Sequence, residues 1–479
     1  ATLAFGFIVE IVAQRWVELT GGTMGLMGVP TLDFGDFTMG PVYFFWVAGF
    51  SWLAVQLASD YVLDSAWGRN LLAIKESESF ARTVGLNVPV WRTVTFILSA
   101  MLAGLGGAYF AHQNGFLSSD AFSIRLTLAF LVAVVIGGLG RSYGPILGTL
   151  ILLAIDEVTA GLHDVGLMIY GGVLLAVLIG FPEGATGLVR GLQPKGVLRR
   201  ATAQPAPPEP EPAAAIMQAE HATEPLALSL EAVSKSYSGV RAAQDVGFTA
   251  APGTVHALIG PNGAGKSTII NVIAGLYRAD AGRIRLGETD VTRLPAHARA
   301  RLGLARTFQN LQLIHALSVL DNVMLGMPPA TRPRAGFLRW LVDPDHEAEA
   351  RRDAMAILRF LGIGHLAELR PGDLSYGHRK LVELARAVAQ RPRVMLLDEP
   401  VAGINATEAA DIAAAIARLR DLGITILLVE HNMEFVMGLS DRVTVLDYGR
   451  VIADGPPAAV KADPGVIAAY LGVEEEDAA

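Results

Sequence analysis

Apolar positions are arranged in two unlike ways along this chain. From residue 1 to about 190 they form long, nearly uninterrupted runs, whereas from 226 to 479 they fall in short blocks punctuated by charge. Runs near 41–59, 92–111, 125–140 and 166–182 approach the length needed to cross a hydrocarbon layer, and shorter ones lie near 2–14 and 144–157. Six crossings would leave 61–91 and everything after 182 on the same side. The turn inside 125–157 is so short that a re-entrant hairpin is the alternative there. Basic residues favour the cytoplasmic face. The expected inner side collects Arg69, Lys75, Arg82, Arg141, Arg190, Lys195, Arg199 and Arg200. The expected outer side offers Arg15, with Arg125 at a boundary, beside Glu18, Asp33, Asp36, Asp120 and Asp164. Glycines within the runs, as in Ala103-Gly-Leu-Gly-Gly107, suit close helix packing in lipid.

Between the second and third clear runs, Gly68 to Gly85 mixes apolar positions, among them Leu71, Leu72, Ile74, Phe80, Ala81 and Val84, with charge, and it ends on glycine. This pattern predicts an inner-side helical segment able to dock on another domain and carry motion into the membrane. A bulky charge at Phe80 or Gly85 is then expected to uncouple the two.

The second half alternates strand-like runs at 254–259, 393–397, 424–429 and 442–446 with helical stretches, which implies a parallel α/β core. Residues 201–225, rich in Pro, Ala and Glu, have too little apolar surface to fold and read as a tether. The expected organisation is a helical membrane domain at 1–192 with about six spans, a linker at 193–225, an α/β domain at 226–472 and an acidic tail at 473–479.

Composition agrees with a chain of mixed character: 52% of its 479 residues are hydrophobic and 18% charged, above and below soluble norms respectively. The net charge of -8 speaks against a general nucleic-acid binder, and the absence of cysteine excludes disulfides and thiolate chemistry. The first residues carry no basic region or small-residue cleavage site, so no signal peptide is read there.

Candidate chemistry begins at Gly260-Pro261-Asn262-Gly263-Ala264-Gly265-Lys266-Ser267-Thr268, placed between the strand at 254–259 and an expected helix at 269–276. In such a loop, glycines let backbone N–H groups converge on phosphate oxygens, the lysine reaches the β- and γ-phosphates, and the hydroxyl residue ligates magnesium. Further on come Gln309 in Arg-Thr-Phe-Gln-Asn, Leu374-Ser-Tyr-Gly-His378, Asp398-Glu399 at the end of an apolar run, and His431 in Val-Glu-His-Asn.

That ordered set resembles the ATP-binding-cassette family across essentially all of 226–479. The resemblance implies an α/β P-loop ATPase using ATP and Mg2+. Lys266 and the loop amides would hold phosphates, while Ser267, Asp398 and Gln309 would surround the metal. Glu399 would act as general base and His431 as the γ-phosphate switch, with Tyr237 stacking on adenine. Ser375 and Gly377, flanked by Tyr376 and His378, resemble the signature sequence that caps ATP bound to a second cassette. Tyr376 stands where a glycine is usual and His378 where a glutamine is usual, and Pro400 to Asn405 replaces the commoner sequence after the catalytic acid.

Those departures resemble the ATPase subunit of branched-chain amino acid importers. Independently, residues 20–30, 68–85 and 137–145 resemble the permease of the same systems, beginning partway through its pattern, so leading helices are expected to be missing. The implied protein is a bacterial inner-membrane importer with permease and ATPase joined and the ATPase cytoplasmic. Its implied partners are a second cassette, a second permease, an extracytoplasmic substrate-binding protein and membrane lipid. Import of urea or another small amide remains an alternative, as do an exporter and a soluble regulatory ATPase.

Overall fold

The structure, a computed structural model, describes residues 2–30, 33–34, 37–38, 40–118, 124–138, 140, 142–159, 171–172, 175, 179, 184–185, 225–327 and 344–471. The apolar run at 166–182 lies almost wholly outside the described residues, and the acidic tail and the tether up to 224 lie entirely outside them. The chain divides into two compact units, residues 1–61 with 94–205, and residues 62–93 with 206–479. The segment predicted to dock thus belongs with the second half of the chain.

The first unit is helical. Its elements are α1 (Thr2–Arg15), α2 (Val17–Thr20), most of α3 (Pro41–Leu63), most of α6 (Val88–Asn114), α7 (Ile124–Gly137) and α8 (Gly144–Thr159). Two short strand pairs accompany them: β1 (Leu26–Met27) with β4 (Phe116–Leu117), and β2 (Asp33–Phe34) with β3 (Phe37–Thr38). Among the described residues, α3 and α6 are long and apolar enough to cross a membrane. Their apolar side chains face outward; Phe45, Phe50 and Phe96 are 69%, 65% and 72% exposed. A core helix of a soluble protein would bury them, whereas lipid is the solvent that suits them. The expected 125–157 hairpin appears as α7 packed against α8. A Cβ at Gly148 would lie 1.7 Å from the Ala133 carbonyl oxygen, so only glycine allows this approach.

In the second unit, α4 (Ala66–Glu76) and α5 (Glu78–Thr83) form the predicted segment, each started by a serine side chain, Ser65 and Ser77, that accepts a backbone N–H. The segment closes at Gly85, whose φ is +90°. An antiparallel sheet follows in the order β6-β5-β8-β9, built from β5 (Leu228–Tyr237), β6 (Val240–Ala250), β8 (Ala281–Leu286) and β9 (Thr289–Asp290). The larger sheet has the order β10-β11-β12-β7-β13-β14, formed by β7 (Val255–Ile259), β10 (Leu304–Arg306), β11 (Val394–Asp398), β12 (Thr425–Val429), β13 (Arg442–Asp447) and β14 (Arg450–Gly455). All its neighbours run parallel except β13 and β14. Strands β7, β11 and β12 are buried along their whole length, as parallel strands covered on both faces must be.

Among the described residues the unit also holds helices α9 (Lys266–Ile273), α10 (Ala296–Arg301), α11 (Val319–Met324), α12 (Pro344–Phe360), α13 (Tyr376–Val388), α14 (Ala406–Asp421), α15 (Met433–Leu439), α16 (Pro457–Lys461) and α17 (Pro464–Leu471). The four sequence-predicted strands are present within a residue or two of their expected bounds. The expected helix at 269–276 starts earlier, at Lys266, because Gly265 already supplies its N-terminal turn.

Candidate functional site

Parallel strands present their C-terminal ends to ligands, and the candidate residues collect there. Strand β7 runs into the loop Gly260–Gly265, which opens α9. Gly260 has φ +151° and Gly265 φ +98°; a Cβ would stand 2.1 Å from the Leu446 carbonyl oxygen at the first and 2.2 Å from the Ala242 carbonyl oxygen at the second. Only glycine fits either place, so the loop hugs the sheet, with the Ala264 N–H donating to the Pro261 carbonyl at 3.2 Å, and it leads into a helix start of the kind that favours an anion. The Lys266 ammonium donates to the carbonyls of Gly260 (2.7 Å) and Pro261 (2.9 Å), which folds it over the loop. Burial pulls its pKa down, and the carboxylates of Glu399 and Asp398 oppose that shift. Ala264 is buried under the loop, where its carbonyl accepts the Gly449 N–H; Asn262, Gly263 and Ser267 are exposed. Thr268 bonds the Tyr237 hydroxyl, and Tyr237 meets Tyr277 edge-on with ring centres 5.7 Å apart.

The neighbouring strand β11 ends in Asp398 and leads directly to Glu399. Glu399 has φ +48°, a left-handed conformation unfavourable for this residue type, costing of order 1–3 kcal/mol. Three contacts hold it there: its N–H donates to Val429 O (2.8 Å), its carbonyl accepts from Lys380 Nζ (3.1 Å), and its carboxylate accepts from Gln309 Nε2 (2.9 Å). Gln309 follows β10, the next strand over, so Gln309 and Glu399 meet although 90 positions separate them. His431 follows β12, the strand on the other side of β11; its N–H donates to the buried Glu430 carboxylate at 2.9 Å, leaving its ring exposed. The other Glu430 oxygen accepts the Val401 N–H at 2.9 Å, which ties the His431 loop to the turn after Glu399.

Asp398 is buried, and one of its oxygens accepts from Arg306 Nη2 at 3.0 Å while the other has no hydrogen-bond partner. Burial pushes its pKa up, against the pull of Arg306. An orphaned carboxylate oxygen at this depth fits a cation ligand, and the Ser267 hydroxyl and Gln309 amide are hard oxygen donors of the kind Mg2+ takes. Among the described residues no cluster of three His, Cys, Asp or Glu could hold a metal unaided, so substrate oxygens or water would have to complete the shell.

Signature residues Ser375, Tyr376, Gly377 and His378 start α13. Ser375 bonds His378 and Glu408, and the Tyr376 ring lies against Gly403. Among the described residues, the partners of Ser375 are thus on α13 and α14, away from the phosphate loop.

Sequence reasoning passed over Arg306, Lys380, Glu383, Arg386 and Glu408. Lys380 also donates to Gln309 O at 3.3 Å. Glu383 accepts the Phe308 N–H at 3.0 Å, and Arg386 donates to Gln312 O at 2.6 Å. Burial raises the Glu383 pKa and lowers that of Arg386 to about 10. Spacing by three along one helix was the available signal for Lys380, Glu383 and Arg386.

The Arg386 guanidinium lies 3.8 Å above the Phe80 ring. Phe80, 2% exposed, joins Ala81, Val84 and Leu86 in one apolar cluster with Ile314 and Leu325. Arg69 grips Glu347 with two bonds of 2.6 Å, while Glu78 holds Arg82 and Arg92. The segment is thus anchored beside the loop that carries Gln309.

A phosphate loop, an Asp-Glu strand end and a separate helix bearing Ser-Tyr-Gly define a P-loop ATPase of the ATP-binding-cassette class. Comparison with known proteins agrees. The family described as ABC transporter matches residues 243–402, the branched-chain amino acid transport system / permease component matches 1–178, and the branched-chain amino acid ATP-binding cassette transporter family matches 450–476. The high-affinity branched-chain amino acid transport ATP-binding protein BraF of Pseudomonas aeruginosa is 36% identical over 248 residues, 51% of this chain and 97% of that protein. The corresponding LivG of Escherichia coli K12 is 35% identical over the same shares. A nucleotide-free ATP-binding cassette of known crystal structure is 33% identical, covering 51% of this chain and 98% of that one, with a TM-score of 0.46. The chain belongs to the branched-chain amino acid family of ATP-binding-cassette transporters, with permease and ATP-hydrolysing cassette fused in one polypeptide.

Proposed function

We propose that this chain imports branched-chain amino acids, using ATP hydrolysed in its cytoplasmic cassette to reshape its own membrane domain. The observation that carries the proposal is the docking of Phe80 under Arg386, because that helix residue also binds the Gln312 carbonyl in the loop of Gln309. Change at the γ-phosphate then has a short, packed route to a segment continuous with α3 and α6.

In the site, Lys266 and the amides of 260–268 hold the β- and γ-phosphates, and Tyr237 stacks on adenine. Ser267, Asp398 and Gln309 hold Mg2+, which when bound neutralises charge on the transferring group. Glu399 accepts a proton from the attacking water, held in line by Gln309, and His431 contacts the γ-phosphate. Phosphoryl transfer needs positioning and charge neutralisation more than covalent help, which suits a site built around a pinned carboxylate. Ser375 and Gly377 cap ATP on a second cassette, so the working unit has two cassettes and two permeases in the inner membrane, fed by an extracytoplasmic binding protein. The permease spans 1–192, the linker 193–225, the cassette 226–472 and the acidic tail 473–479, with 62–93 as the part of the permease that rides on the cassette.

Uptake of labelled leucine and of urea by cells lacking their own carriers tests the substrate. Leucine accumulation dependent on this chain is expected; accumulation of urea alone would overturn the assignment.

A further inference from the structure

The signature serine is already engaged within its own cassette. Ser375 Oγ lies 3.0 Å from Glu408 Oε1 and 3.0 Å from His378 Nδ1, and it accepts the His378 N–H at 3.2 Å. A hydroxyl has one proton to donate and two lone pairs. Glu408, a carboxylate, takes the proton, and the lone pairs face the two His378 nitrogens. Gly377 is covered by the same side chain: a Cβ there would fall 2.3 Å from the Glu408 carboxyl carbon and 2.4 Å from Oε1. One carboxylate therefore lies over both residues that are read as phosphate contacts, at the N-terminus of a 13-residue helix whose dipole favours an anion. Glu408 is itself held in place, since its N–H is capped by Asn405 Oδ1 at 2.9 Å.

We infer that Glu408 is a positioning residue whose carboxylate occupies the anion place of the signature and exchanges for the γ-phosphate of ATP on the second cassette. The inference rests on the composite-site reading above. Ser375 is kept oriented for phosphate while the cassettes are apart, and closure must move one negative charge aside before another takes its place. Like charges a few ångströms apart repel, so the exchange sets the ATP level needed for closure.

The test is steady-state ATPase kinetics of the purified full-length chain with its co-purifying subunits. Glu408→Gln keeps the shape without the charge and is expected to lower KM for ATP about tenfold, with kcat within about twofold. Glu408→Ala should shift KM in the same direction, which a merely structural helix-cap role would not do, since losing a support raises KM or lowers kcat. An unchanged or raised KM in both variants overturns the exchange. Ser375→Arg separates the two ideas: loss of turnover with retained ATP binding supports the composite site, and full turnover overturns that site together with the role of Glu408.

Discussion

Phe80→Ala perturbs a side chain that joins the docking segment to the cassette both by apolar burial and by its contact with the Arg386 cation. At 2% exposure, Phe80 is effectively a core residue, and truncating such a phenylalanine costs about 3–5 kcal/mol. Loss of its face for the Arg386 guanidinium, a desolvated contact at 3.8 Å, is worth about 2 kcal/mol and is included in that total. Phe80→Leu keeps most of the volume and loses the aromatic face, so it should cost about 2 kcal/mol. The expected outcome is graded: leucine uptake per ATP hydrolysed falls moderately in Phe80→Leu and collapses in Phe80→Ala, with basal ATP hydrolysis retained. Amide hydrogen exchange of α4 and α5 should accelerate in the same order. Wild-type uptake together with unchanged exchange in Phe80→Ala would refute the reasoning, because the segment would then be held by something else.

Two further substitutions test groups inside the cassette. Arg306→Met leaves Asp398 buried without its cation and should destabilise the cassette by about 3–5 kcal/mol, read as a lower midpoint of thermal unfolding; an unchanged midpoint would show that the pair contributes nothing net. His256 is fully buried on β7, bonded to Thr444 at 2.7 Å, and burial lowers its pKa from 6.5 to about 4. Because the folded value lies below the unfolded one, the unfolded chain binds the proton first as pH falls. The stability at stake is complete above about pH 6.5 and disappears toward pH 4, amounting to about 3 kcal/mol. His256→Phe should flatten that slope in a pH series of unfolding midpoints, and an identical slope would assign it to other groups.

What was legible in the sequence was local. Alternating apolar blocks located β7, β11, β12 and β13, and the glycines of 260–265 announced a loop whose φ values only glycine holds with ease. Ser65 and Ser77 began two helices where the pattern of 68–85 expected helical structure. Contacts across long separations were not legible. Nothing in an apolar run ending in Asp-Glu says that Arg306 would lie 3.0 Å from Asp398, or that Glu399 would be strained and pinned by Lys380. Strand order creates those meetings: β10 and β12 flank β11, so residues following each strand converge. Glu408 escaped notice because a glutamate in the first turn of a helix ordinarily serves that helix alone.

ATP-driven uptake by the fused chain bears most directly on the central claim. The measurement is accumulation of labelled leucine in proteoliposomes carrying the full-length chain and its co-purifying subunits, supplied with the binding protein outside and ATP on the cassette side. Wild-type vesicles should accumulate leucine above the external level, and Glu399→Gln vesicles should bind ATP yet remain at background. Equal accumulation by the two would contradict the account, since import would then proceed without the carboxylate assigned to hydrolysis.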